Sequence, residues 1–201
     1  MSSSVHDTTG IILAGGRSLR YGKDKAFELI DGIPLIKRVL YVMEELFDEV
    51  IIITNEPDKY SFMAQRIYED LIKGIGPIAG ILTGITHMES EAGFFVACDM
   101  PFLNTDLIRY LAKIRNGFDI VIPRIGNNIE PLHAIYTKDC LPFIKDSIRH
   151  KRFSIRSFFS PLSVRYVDED ELRRYDPGLT FLININEPED MRRIKRKCSS
   201  L

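Results

Sequence analysis

The feature that most constrains the fold of this chain is an apolar run that ends in two glycines. A loop rich in cations follows it. The run spans residues 11–14, and the notable positions after it are Gly15, Gly16, Arg17, Arg20, Lys23 and Lys25. A short apolar run bounded by glycine predicts a buried strand. Glycine lets a backbone approach a bulky anion closely, and four cations match the charge of a polyphosphate. We therefore expect the loop to bind the triphosphate of a nucleotide, although a solvated basic loop has the same composition.

Two widespread phosphate-binding loops do not match this stretch. The dinucleotide fingerprint G-x-G-x-x-G is absent because Gly15 and Gly16 are adjacent. The Walker pattern G-x-x-x-x-G-K-[ST] fails because five residues separate Gly16 from Gly22, and because Asp24 follows Lys23. A phosphate site in this loop is therefore of another kind.

The composition predicts one globular domain, residues 1–201, and it argues against nucleic acid and membranes as partners. Hydrophobic residues make up 45% of the chain and charged residues 27%, which suits a sizeable core. The net charge of −1 gives no general attraction to nucleic acid or membranes, and no apolar run is long enough to span a bilayer. The polar start lacks a signal segment. Because the cysteines are odd in number and scattered, we expect a cytoplasmic protein without disulfides or a zinc site.

Strand and helix signals alternate over residues 10–122, and this pattern predicts a mostly parallel central sheet with helices on both faces. The predicted strands after the first are residues 50–53, 67–70, 93–98 and 118–122, and the helices are predicted over 35–46, 57–66, 78–88 and 105–115. Beyond Pro123 the periodicity is weaker, with strands expected at 131–136, 163–167 and 179–185 and helices at 139–149, near 154–159 and after Pro188. We therefore distinguish a first half, residues 10–122, which we call the nucleotide-binding half because it carries the predicted nucleotide loop, from a second half, residues 123–201.

Polar residues lie at the carboxyl ends of several predicted strands. Asn55 follows the strand at 50–53, and Asp70 and Asp99 end the next two strands. In open α/β sheets the binding site lies beyond these ends, so the three residues and the glycine loop should face one crevice. A carboxylate at a buried strand end suits Mg²⁺, which prefers one or two carboxylates with phosphate oxygens and waters. Each residue alone could simply cap a helix, so their convergence is the stronger signal.

The opening stretch closely resembles the signature L-A-G-G-x-S-x-R-M-G-x-D-K of molybdenum cofactor guanylyltransferases, which are sugar-nucleotide and pterin nucleotidyltransferases. The matching positions are residues 13–16, Ser18, Arg20, Gly22, Asp24 and Lys25, and Tyr21 replaces methionine. Related cytidylyltransferases usually have Leu-Ala-Ala-Gly, so the adjacent glycines favour the guanylyl branch. Four later segments also resemble family motifs: G-P-L-A-G at 76–80, C-D-x-P at 98–101, P-L-x-A-x-Y at 131–136 and N-x-N-x-P-E-D at 184–190.

The resemblance implies a three-layer α/β/α, Rossmann-like nucleotidyltransferase fold and a set of site residues. The implied catalytic residues are Lys25, Arg20 and Asp99, with Asp99 as the ligand of Mg²⁺. The implied nucleotide-binding residues are Leu13, Ala14, Gly15, Gly16, Lys25, Asn55, Asp70 and Asp99. The implied acceptor-binding residues are Arg152, Asn184 and Asn186. His133 lies in one of the matching motifs, and we interpret it as a structural histidine.

The implied reaction is nucleotidyl transfer. A phosphate of molybdopterin would attack the α-phosphorus of GTP, pyrophosphate would leave, and the product would be the guanine dinucleotide form of the molybdenum cofactor. Charge, spacing and resemblance together place Lys25 near the α-phosphate, and Arg20 with the amides of Gly15 and Gly16 near the leaving pyrophosphate. Transient contact with molybdoenzymes or their chaperones is a further implication.

Alternatives from three classes remain at this point. A glycosyltransferase would use a similar sheet with an acidic metal site, but it has no evident use for a cluster of Lys25 and Arg20 over a triphosphate. A cytidylyltransferase for the same pterin, or a nucleotidyltransferase for another sugar or pterin phosphate, would use the same chemistry. A non-catalytic GTP-binding module would bind nucleotide without turnover, and the presence of Lys25, Arg20 and Asp99 speaks against it.

Overall fold

A computed structural model describes residues 5–15, residues 25–185 and Asp190. The strands in these ranges are β1 (Thr8–Leu13), β2 (Leu29–Ile30), β3 (Ile33–Pro34), β4 (Val50–Ile53), β5 (Arg66–Tyr68), β6 (Ala92–Ala97), β7 (Ile120–Ile125), β8 (Asn128–Ile129), β9 (His133–Thr137) and β10 (Val164–Asp168). The α-helices are α1 (Leu35–Leu46), α2 (Pro77–His87), α3 (Thr105–Lys113), α4 (Leu141–Arg149) and α5 (Glu169–Leu172). None of these helices has the length and apolar character needed to cross a membrane.

The central sheet has the strand order β10-β7-β9-β6-β1-β4-β5, with β8 paired to β7. Strand β1 lies parallel between β4 and β6, β4 is parallel to β5, and β7 is parallel to β10. Strand β9 runs antiparallel between β6 and β7. Because β9 is reversed between two strands of equal direction, the carboxyl ends of β1, β4, β5, β6, β7 and β10 all lie on one side. We call this side the carboxyl end of the sheet.

Helices cover both faces of the sheet, and β1 shows how the sequence achieves this. All six residues of β1 are buried. Ile12 packs on one face in a cluster with Val39 of α1 and with residues of α3. Ile11 and Leu13 pack on the other face with Ile81 of α2 and residues of α4. Alternate side chains of a strand point to opposite faces, so this packing confirms the predicted three-layer α/β/α fold.

Helix α2 lies unusually close to the sheet, and a glycine permits this approach. A Cβ atom on Gly84 would lie 2.5 Å from the ring of Phe95 and 2.9 Å from Ile11. A side chain at this position would therefore push the helix away from the strands. Helix α2 begins at Pro77, which needs no N–H partner in the first turn. The segment at 76–80 is thereby fixed next to the carboxyl end of the sheet.

Two predicted elements are wrong. The helix expected over residues 57–66 is only a 3₁₀ turn at Pro57–Tyr60, and β5 begins at Arg66. The strand expected over residues 179–185 is also absent, and a 3₁₀ turn at Thr180–Leu182 occupies part of it. The reason is local: the buried Asp176 carboxylate accepts hydrogen bonds from the hydroxyl of Thr180 and the N–H of Phe181, which favours a turn over a strand.

His133 is fully buried at the start of β9. Its ring packs edge-on against Phe94 at a centroid distance of 5.0 Å and lies 4.5 Å from the ring of Phe181. Neither ring nitrogen has a hydrogen-bond partner among the described residues. Burial lowers the pKa of His133 to about 3, because the charged imidazolium would lose its hydration. These surroundings support the interpretation of His133 as a structural histidine.

We expect His133 to make the fold sensitive to acid. The unfolded chain takes up a proton near the ordinary pKa of 6.5, whereas the folded chain resists protonation down to about 3. The free energy of unfolding should therefore fall as the pH drops below 6.5, with a contribution from His133 of about 1.4 kcal/mol per pH unit. The His133→Leu variant should lose this contribution in urea unfolding between about pH 7 and pH 4. The exposed His150 provides a control variant, His150→Gln, and equal slopes for wild type and His133→Leu would contradict this assignment.

Candidate active site

The parallel strands bring four predicted segments together at the carboxyl end of the sheet. Backbone hydrogen bonds continue past the strand ends: Ala14 N–H donates to the carbonyl of Ile53 at 2.8 Å, and Cys98 N–H donates to the carbonyl of Leu13 at 3.1 Å. The hydroxyl of Tyr60 also donates to the carbonyl of Ala14 at 3.3 Å. The backbone at the end of β1 is thus held from three sides, and Tyr60 is a positioning residue that the sequence did not indicate.

Asn55 and Asp70 lie directly beside Gly15. The side-chain amide of Asn55 donates to Oδ2 of Asp70 at 2.7 Å. The other oxygens of the pair, Asn55 Oδ1 and Asp70 Oδ1, are buried and have no hydrogen-bond partner among the described residues. Burial raises the pKa of Asp70, while the bond from Asn55 opposes that rise. Two unpaired acceptor oxygens beside a glycine can accept the N–H or O–H donors of a nucleoside.

The protein itself leaves room for a side chain at Gly15. A Cβ atom there would lie 3.5 Å from the Asn55 side-chain nitrogen and 3.9 Å from Asp70 Oδ2, which are ordinary contact distances. The backbone of Gly15 is also not in the left-handed region that favours glycine, because the positive φ angles lie elsewhere among the described residues. Packing within the described residues therefore does not require glycine here, whereas the close approach of a ligand would.

Asp99 and Lys25 form the second part of the site. Asp99 follows β6, and burial raises the pKa of its carboxyl group, while the charge of Lys25 opposes that rise. The charge of Lys25 therefore lies near enough to act on the Asp99 carboxyl group, although Lys25 is at the start of a 3₁₀ helix far from Asp99 in sequence. The structure therefore brings together two of the three predicted catalytic residues. The third, Arg20, and Gly16 lie outside the described residues.

The segment near the end of the described chain also reaches Asp99. The N–H of Ile185 donates to the backbone carbonyl of Asp99 at 2.9 Å. The neighbouring Asn184 has a buried side-chain oxygen without a partner among the described residues. Carboxylate and amide oxygens are ligands that a hard cation prefers, so Asp99 and Asn184 fit Mg²⁺. The predicted partner Asn186 lies outside the described residues.

Glu130 lies near enough to Asp99 for the charge of Asp99 to act on it, and the sequence did not single it out. Burial raises the pKa of Glu130, the hydrogen bond from Leu132 N–H opposes that rise, and the charge of Asp99 increases it. The Leu132 bond is made to Oε1 at 3.2 Å. A signal was present in the sequence, because Glu130 immediately precedes the motif at 131–136. Because β9 runs antiparallel to β6, Glu130, which precedes β9, lies at the carboxyl end of the sheet.

The predicted acceptor residue Arg152 lies on the surface after α4. The guanidinium of Arg152 pairs with Asp146 Oδ2 at 2.8 Å, and the backbone N–H of Arg152 donates to the carbonyl of Ser147. An open cavity of about 730 Å³ lies at the carboxyl ends of β7 and β10. Arg124 lines this cavity, bound to Asp168 at 2.6 Å and placed over the ring of Tyr166. The role of Arg152 toward an acceptor stays a prediction.

The comparisons with known proteins agree with this geometry. The model of the MobA-like NTP transferase domain family matches residues 10–166. The chain is 37% identical over 183 residues to a probable molybdenum cofactor guanylyltransferase of Pelotomaculum thermopropionicum, covering 91% of this chain and 89% of that protein. It is 36% identical over 185 residues to the molybdenum cofactor guanylyltransferase of Desulfosudis oleivorans, covering 91% and 92%. Molybdopterin-guanine dinucleotide biosynthesis protein A from Archaeoglobus fulgidus has a similar structure, with a TM-score of 0.83, 27% identity, and coverage of 96% of this chain and 100% of that one.

The Gly15→Ala variant tests whether the space beside Asn55 and Asp70 receives a ligand. We expect its melting temperature to stay close to that of the wild type, because the added methyl group meets the protein only at ordinary contact distance. We expect the affinity for a nucleoside triphosphate to fall about 10-fold or more, which is about 1.4 kcal/mol. Thermal unfolding and calorimetric titration measure the two effects. Unchanged affinity would show that ligand does not approach Gly15.

Proposed function

The chain belongs to the family of MobA-like NTP transferase domains, and we propose that it acts as a molybdenum cofactor guanylyltransferase. It transfers GMP from GTP to the phosphate of molybdopterin, and the products are the guanine dinucleotide cofactor and pyrophosphate. The observation that supports this most is that Gly15, the hydrogen-bonded Asn55–Asp70 pair and Asp99, on which the charge of Lys25 acts, all lie at the carboxyl end of one sheet. These groups suit a nucleoside, a polyphosphate and a divalent cation.

Transfer of this kind requires that the two substrates be positioned and that the developing negative charge be neutralised. It needs no protein nucleophile. The acceptor phosphate is already an anion, so a general base is dispensable. The ammonium group of Lys25, whose charge acts on Asp99, would bind an oxygen of the α-phosphate. Arg20 and the amides of Gly15 and Gly16 would hold the leaving pyrophosphate, as the sequence predicts. Mg²⁺, held by Asp99 with Asn184, would supply a Lewis acid for the α-phosphate.

The Asn55–Asp70 pair is assigned to the nucleoside. Asn55 orients the Asp70 carboxylate through the 2.7 Å bond, so that one oxygen of each side chain remains able to accept a hydrogen bond. A ribose hydroxyl or a base N–H group would satisfy these oxygens, and burial would make each bond stronger than in water. Leu13 and Ala14 place the backbone at the end of β1 next to the same position, where hydrogen bonds to Ile53, Cys98 and Tyr60 fix it.

The acceptor is assigned to the second half of the chain. The carboxyl ends of β7 and β10 lie on the same side of the sheet as Asp99, and the cavity beside Arg124 and Tyr166 opens there. Molybdopterin would place its phosphate toward Asp99 and Asn184, with Arg152 as a further contact. We also propose that the reaction takes place in the cytoplasm, with transient transfer of the product to molybdoenzymes or their chaperones.

Pyrophosphate release with ATP, GTP, CTP or UTP, in the presence of Mg²⁺ and with or without molybdopterin, tests the function. We expect release with GTP only, and only when molybdopterin is present. Release with CTP would instead indicate a cytidylyltransferase. Binding of GTP without any release would contradict the proposal and favour a non-catalytic binding module.

The Asp99→Asn variant tests the chemical role of the carboxylate in the same assay. We expect kcat to fall about 100-fold or more, because the charge that holds the cation is lost while the shape is kept. GTP binding in the absence of metal should be little changed. The matched control is Asp106→Asn, since Asp106 is an exposed carboxylate in the first turn of α3. Unchanged turnover in Asp99→Asn would remove Asp99 from the proposed metal site.

A further inference from the structure

Tyr60 is a buried tyrosine whose hydroxyl and ring contact two different parts of the chain. It ends the 3₁₀ turn after β4 and has no exposed surface. Its hydroxyl donates to the carbonyl of Ala14 at 3.3 Å. Its ring packs against the ring of Phe27, with the two centroids 5.1 Å apart. One side chain from the connection between β4 and β5 therefore contacts the chain both before and after residues 15–26.

The ring contact bears on Lys25, because Phe27 and Lys25 belong to one 3₁₀ helix. Ala26 lies between them, is fully buried and shares a hydrophobic cluster with Tyr60. The N–H of Glu28 donates to the carbonyl of Lys25 at 2.9 Å and closes the turn. Since the backbone of this turn is held by its own hydrogen bond and by the core, a shift of Phe27 would also move Lys25.

The hydroxyl contact sets the direction of the Gly15 N–H. The carbonyl of Ala14 and the N–H of Gly15 belong to one planar peptide group, and in a trans peptide they point in opposite directions. Because the carbonyl is held by the buried Tyr60 hydroxyl, the N–H of Gly15 points away from Tyr60. A rotation of this peptide group would break the bond and take an acceptor from a buried hydroxyl.

We propose that Tyr60 is a positioning residue that fixes the Gly15 N–H and Lys25 relative to each other, an inference that rests on the proposed function. There Lys25 binds the α-phosphate and the Gly15 amide binds the leaving pyrophosphate. Donors that meet one triphosphate at two points must keep a set separation, and a buried aromatic ring is rigid enough to maintain it. Because Tyr60 is fully buried, it acts through these two groups and not by contact with the substrate.

The first test is amide hydrogen exchange of the full chain without substrates, followed residue by residue with NMR. Tyr60→Phe removes only the hydroxyl, and Phe27→Leu removes only the partner ring. We expect each change to act at the far contact: Tyr60→Phe should speed exchange of the Glu28 N–H, and Phe27→Leu that of the Ala14 N–H, each about 5-fold or more. The hydrogen-bonded N–H of Ile108 in α3 should exchange as in the wild type in both variants.

The second test is pyrophosphate release from GTP in the presence of molybdopterin. We expect kcat of Tyr60→Phe to fall about 10-fold while KM for GTP changes less than about 2-fold, because the charge of Lys25 is kept and only its position is disturbed. In the Lys25→Ala background the same substitution should lower kcat at most about 3-fold, since residues that act as a unit are not additive. The matched control is Tyr41→Phe, at an exposed tyrosine of α1, and it should have wild-type kinetics.

The outcomes separate this proposal from the proposed function. Faster exchange at Ile108 as well, or an effect of each variant only at its own contact, would overturn the positioning role and leave the proposed function standing. An equal fall of kcat in the wild-type and Lys25→Ala backgrounds would also overturn it. If the wild type released no pyrophosphate from any nucleoside triphosphate, the proposed function would be contradicted instead, and the exchange result would still decide the role of Tyr60.

Discussion

The pairing of β1 with β4 on one side and β6 on the other is the constraint on which the site depends. All six residues of β1 are buried, and both neighbouring strands run parallel to it. Parallel pairing forces three strand ends to the same side, and hydrogen bonds at Ala14 and Cys98 extend the pairing into the site. The hydrophobic energy that stabilises the core therefore also fixes the spacing between Gly15, Asn55 and Asp99. A substitution that loosened the packing of β1 would therefore disturb the site even if every polar residue of the site were kept.

The three carboxyl groups at this end of the sheet share one electrostatic property, which is a raised pKa. Burial raises the pKa of Asp70, Asp99 and Glu130, because a charged carboxylate loses hydration at the end of a packed sheet. Asn55 compensates Asp70 through a hydrogen bond, and Lys25 compensates Asp99 through its charge. The hydrogen bond from the N–H of Leu132 opposes the rise in the pKa of Glu130, whereas the charge of Asp99 adds to that rise.

Much of the nucleotide-binding half could be predicted from the sequence because local signals and packing agree there. Buried apolar runs and glycine give the strands, and the rule for parallel sheets gives the convergence of Asn55, Asp70 and Asp99. The roles assigned to these residues stay predictions, as do those of Gly16, Arg20 and Asn186 outside the described residues. The second half was less predictable because long-range contacts decide it. The segment at 179–185 has the composition of a strand, yet the side chain of Asp176 and the bond from Ile185 to Asp99 make it a turn that returns to the site.

The reversed direction of β9 explains why the second half can contribute to the same site. A parallel strand between β6 and β7 would present its carboxyl end there, and the segment before it would lie at the opposite end of the sheet. Strand β9 instead presents its amino end there, so the segment that precedes it also lies at the carboxyl end of the sheet. Leu132 and His133 use their N–H groups to hold the side chain and the carbonyl of Glu130. One antiparallel strand in a parallel sheet thus places Glu130, from the second half, at the same end of the sheet as Asp99, from the first.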